Sequence, residues 1–73
     1  MNGGSNIRGA MPAAPPLVDA GRALARGEPL HALGLVGRDE SALGLTLRGV
    51  AYAQLGDLDL GRQSLERAVA STE

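Results

Sequence analysis

The chain has no cysteine, no tryptophan, no phenylalanine and no lysine. Without cysteine there is no disulfide, no thiolate nucleophile and no zinc-finger spacing. A single histidine, His31, excludes a His-rich metal cluster. One aromatic, Tyr52, cannot supply the stacking platforms on which bases are held. Seven arginines against eight acids leave a net charge of -1, so there is no basic stripe to neutralise phosphates, and nucleic acid is not an expected partner. No apolar run approaches the ~20 residues of a membrane span, and the N-terminus lacks the charged-then-apolar pattern of a signal peptide. A cytoplasmic protein without cofactor or metal is the expectation.

What is present fits a small globular unit. With 73 residues the chain is one small domain, or a piece of a larger one, and its stability margin is thin. Hydrophobic residues make up 44% and charged residues 21%, which suits folding rather than disorder. Helix packing and association are then the means of stabilisation left to it. The bias toward Arg, Ala, Gly and Leu fits a GC-rich bacterial genome.

Organisation changes near residue 16. The first 15 residues are rich in Gly and Pro with no apolar periodicity, and are expected to be a disordered arm. Residues 16–73 read as one all-α domain. Pro16 suits a first helical turn, followed by Leu17, Ala20, Ala23 and Leu24 at helical spacing. Gly27 stops this helix, and Glu28–Pro29 opens a short second one with Leu30, Leu33 and Val36 as its apolar face and Gly37 as its end. Asp39 is the expected N-cap of a long helix over Glu40–Leu55 that is apolar nearly all round and therefore expected to be covered on several sides. Gly56 stops it. Asp57 caps a last helix to about Ala70, with a stripe of Leu58, Leu65, Ala68 and Val69 opposite a solvated face of Arg62, Gln63, Glu66 and Arg67. Leu60 falls off the stripe and is expected to be exposed. The outcome is four helices in two antiparallel hairpins, since short connections force antiparallel neighbours.

Residues 42–71 resemble the tetratricopeptide repeat. The resemblance rests on Leu45, Gly49 and Tyr52 in one helix, the turn Leu55-Gly56-Asp57-Leu58-Asp59, and Leu65 and Ala68 in the next. Gly49 is read as the site of close helix approach, Tyr52 as filling the inter-helix groove, and Gly56 as supplying a positive φ. The chain departs from the family pattern at Leu45 (often Trp), Arg48 (usually Leu) and Gly61 (usually Ala). A shortened first copy is expected before it, with Ala23, Gly27 and Ala32 at the Tyr-, Gly- and Ala-like positions. The resemblance implies right-handed stacking of hairpins, about one and a half repeats, and a chain that starts a longer array or completes its core on another chain.

The same resemblance implies a non-catalytic protein–protein interaction module, and such repeats occur in bacterial regulators. Its first-helix face would be Leu43, Thr46, Val50, Ala53 and Gln54, holding a protein or peptide partner. These side chains are small or apolar rather than the Lys and Asn that clamp a carboxylate terminus, or else they simply pack on a neighbouring helix. The alternative is self-association as a homodimer through Leu60 and Val69. No constellation supports an enzyme: His31 has no nucleophile or orienting carboxylate among its immediate neighbours. Asp57 and Asp59 suit capping and the helix dipole better than calcium. A helix-turn-helix reader would need a basic recognition helix, and Asp57, Asp59 and Glu66 offset Arg62 and Arg67.

Overall fold

The computed structural model describes residues 15–72. Four helices follow in order: α1 (Pro15–Ala25), α2 (Pro29–Val36), α3 (Ala42–Gln54) and α4 (Leu58–Ser71). The described residues contain no strand. The all-α class and the two hairpins are as read from the sequence. Of the arm expected over residues 1–15, residues 1–14 lie outside the described residues, and Pro15 itself opens α1. Among the described residues no helix is long and apolar enough to cross a membrane.

The turns within the hairpins are the same structure, 29 residues apart. Gly27 has φ 74 and Gly56 has φ 85, the left-handed conformation that only glycine adopts without penalty. Around them the amide of Glu28 donates to the Ala23 carbonyl and that of Asp57 to the Tyr52 carbonyl, both at 2.9 Å. Ala23 and Gly27 therefore stand to α1–α2 as Tyr52 and Gly56 stand to α3–α4. The first hairpin has a shorter second arm, because Gly37 (φ 57) ends α2 after eight residues.

The core forms where α1, α2 and α3 meet. Leu17, Ala20, Ala23 and Leu24 of α1 are buried as expected, together with Ala32, Val36 and Ala51; Leu33, Leu35 and Leu47 pack around them. Leu30, expected on the buried face of α2, is instead 72% exposed. Ala32 takes its place, because the residues at 32 and 36 share the inward side of this short helix.

The start of α3 also differs from expectation. Ser41, not Asp39, is its N-cap: the Ser41 hydroxyl accepts from the Gly44 amide at 3.1 Å. Asp39 stands outside the helix and holds Ser41, its carboxylate accepting from both the amide and the hydroxyl of that residue. Those bonds hold the Asp39 carboxyl below its ordinary range, the Ser41 hydroxyl being the larger cause. Gly44 is required here, since a Cβ on it would lie 2.6 Å from Asp39 Oδ1. Asp57 does cap α4, accepting from the Leu60 amide at 3.2 Å.

Candidate interaction face

Helix α4 lies on α3 through small residues. Gly61, Ser64 and Ala68 are its buried positions, against Gly49 of α3. Of the apolar stripe Leu58, Leu65, Ala68 and Val69, only Ala68 is buried. Each residue turns the helix by about 100°, so packing through 61, 64 and 68 swings 58, 65 and 69 round to one side. Leu58 stays 68% and Val69 60% exposed, and Leu65 is also exposed.

These side chains overhang an open groove of about 520 Å³ between α3 and α4, with Ala53 and Gly61 along it and Leu58, Leu65 and Val69 above. Arg62 and Glu66 edge it, paired at 3.2 Å. Beyond Leu65 and Val69 the depression continues past Ala42, Thr46, Ala68 and Thr72 for about 320 Å³.

The residues singled out in the sequence are divided by this geometry. Thr46 and Ala53 line the groove. Leu43 and Val50 are exposed on α3, so the all-round apolar character of that helix does not bring burial on every side. Helix α3 meets the other three helices, and these two side chains fall in the sector left open. Gln54 is engaged internally: its side-chain amide donates to the Leu24 carbonyl at 2.9 Å and ties α3 to the end of α1. Leu60 and Val69 are both exposed, but nine positions apart on α4 they project from opposite sides, and only Val69 reaches the groove. One interface cannot use both.

Arg48 is the residue whose role the sequence left unread. Its side chain is only 13% exposed. It donates to the carbonyls of Gly37 (2.9 Å) and Asp39 (3.1 Å) and pairs with Glu40 at 3.1 Å. Glu40 also meets Arg67 of α4. The Arg48 bond is the chief reason the Glu40 carboxyl sits below its ordinary range. An arginine with three acceptors around one loop is a clasp for the connection between the hairpins.

Other polar groups are surface features. His31 is exposed and lies 3.4 Å from Glu28, whose carboxyl is lowered first by its bond from Arg26 and then by His31. Asp59 stands 3.9 Å from Arg62 in the first turn of α4. Among the described residues no three His, Cys, Asp or Glu side chains form a group that could hold a metal ion. No family model matches the chain, and no curated protein and no solved structure is significantly similar to it.

Proposed function

We propose that this chain is a non-catalytic, tetratricopeptide-like protein interaction module that covers its α3–α4 groove with an apolar helix from a protein partner. The observation that carries the reading is the side on which α4 presents Leu58, Leu65 and Val69. Three large, exposed apolar side chains line the groove beside Ala53 and Gly61, whose small size leaves room for an opposing helix to approach. The two hairpins share one turn at a fixed separation, which supports the repeat character of the module. The charges at the groove edge, Arg62 and Glu66, offset each other, so a nucleic acid would gain little there.

The test is recovery of a stoichiometric protein partner, a foreign chain or the chain itself, with the full tagged chain from the cells that make it. Leu65→Glu and Val69→Glu should each lose that partner while keeping the helical signal by circular dichroism. Leu60→Glu, on the opposite side of α4, should retain it. Retention by the groove variants, or equal loss with Leu60→Glu, contradicts the reading.

A further inference from the structure

We infer that the occupant of the groove is a second copy of this chain, with its α4 lying antiparallel on the first α4 about a two-fold axis near Leu65. The inference rests on the reading that this side of α4 binds protein. It adds the identity and the direction of the partner.

Leu58, Arg62, Leu65, Val69 and Thr72 share one side of α4 at alternating steps of four and three. That is the seam along which two helices of this length pair side by side. A second helix laid along it would cover the three exposed apolar side chains together, and Ala53 and Gly61 leave room for it to approach.

Arg62 stands at one rim of the seam and Glu66 just outside the same rim, one turn further along. In an antiparallel pair, like edges meet with their order reversed. Arg62 then faces the partner's Glu66, and Glu66 faces the partner's Arg62. The aliphatic stem of Arg62 covers the partner's Val69 while its guanidinium reaches the edge. A parallel pair offers neither crossed bond and brings the two Arg62 positions to the same level of the seam. A surface that carries both signs in an order complementary to its own reverse is suited to itself, and the resulting contact is closed and symmetric.

Sedimentation of the full chain from low micromolar to millimolar concentration tests this. A reversible monomer–dimer equilibrium is expected. Arg62→Glu and Glu66→Arg should each weaken dimerisation by roughly tenfold, because each sets like charges against each other at the edge. The double variant carrying both changes should restore it. Since the chain has no cysteine, direction can be read from single cysteines. The Leu65→Cys variant should oxidise to a linked dimer, whereas Leu58→Cys should not, its two copies lying about 20 Å apart in the antiparallel pair. A chain that is monomeric throughout, single reversals without effect, a double variant that fails to recover, or linkage through Leu58→Cys overturns the inference. A monomer that still captures a foreign protein through Val69 overturns the second copy and leaves the interaction module standing. A monomer that captures nothing removes both.

Discussion

A Cβ built on Gly61 would stand 3.1 Å from the carbonyl oxygen of Gly49, so α3 and α4 touch backbone to backbone at this pair. The contact decides the rest of the face. Helices that approach this closely fully bury only small residues of α4 between them; Leu65 lies over Gly49 and stays partly exposed, and Leu58 and Val69 project outward.

Among the helical glycines, Gly49 at the crossing should therefore matter and Gly34, in open space, should be dispensable. At Gly49 an added Cβ would lie 2.7 Å from Leu65 Cγ and 3.1 Å from the Gly61 carbonyl. Gly49→Ala is expected to destabilise by about 1–3 kcal/mol despite the gain in helix propensity. Gly34, inside α2, has nothing within 4 Å of such an atom. Gly34→Ala should stabilise by about 0.5–1 kcal/mol. Urea denaturation of the two variants reads both signs.

Arg48 holds the loop between the hairpins, and its loss should be felt there. Arg48→Met keeps most of the stem and removes the donors to the Gly37 and Asp39 carbonyls. A cost of about 1–3 kcal/mol is expected, with faster amide exchange around Ser41 and Gly44. Arg48→Lys should recover only part of it, since one ammonium cannot replace the planar fork.

Gln54 joins the hairpins through the Leu24 carbonyl. Gln54→Ala is expected to lower stability by about 0.5–1.5 kcal/mol. If Gln54 contacts a partner rather than α1, the same change should reduce partner recovery and leave the unfolding midpoint unmoved.

Acid should weaken the fold from a definite direction. The carboxyls of Glu28, Asp39 and Glu40 are all held below their ordinary range by hydrogen bonds from Arg26, Ser41 and Arg48 respectively. Groups lowered in the folded state bind fewer protons there than in the unfolded chain. Their contribution is fully present above the unfolded carboxylate range and is lost as pH falls below about 4 toward the folded values. Thermal midpoints should be flat from neutral pH down to about 5 and fall below about 4. The Asp39→Asn variant should fall less steeply, having one such group fewer.

The sequence made the helices and their stops legible because their signals are local. Gly27, Gly37 and Gly56 end helices by adopting positive φ, and Asp57 caps the next one, with no help from distant residues. The buried side of α1 was equally legible, since four apolar positions repeat at one spacing. The rotation of α4 was not. Leu58, Leu65 and Val69 look like a buried stripe by hydropathy, but the crossing at Gly49 and Gly61 selects the sector through Ser64 instead. Ser41 and Asp39 are both good caps, and the choice between them depends on Asp39 bonding to Ser41. Arg48 reads as a departure from an apolar pattern until the carbonyls it serves, nine and eleven residues earlier, are placed beside it. Of the residues read from the sequence as a contact surface, Thr46, Ala53 and Val69 line the proposed groove, while Gln54 bonds to α1 and Leu60 lies on the far side of α4.

The account stands on the outward side of α4 being the place where protein is met. The most direct measurement is photo-crosslinking in the cells that make the chain, from a benzoylphenylalanine placed at Val69, compared with one placed at Gln63 on the solvated side. A discrete crosslinked product from position 69, absent from position 63 and abolished by Leu65→Glu, is the predicted result. No product from position 69, or the same products from both positions, would contradict it.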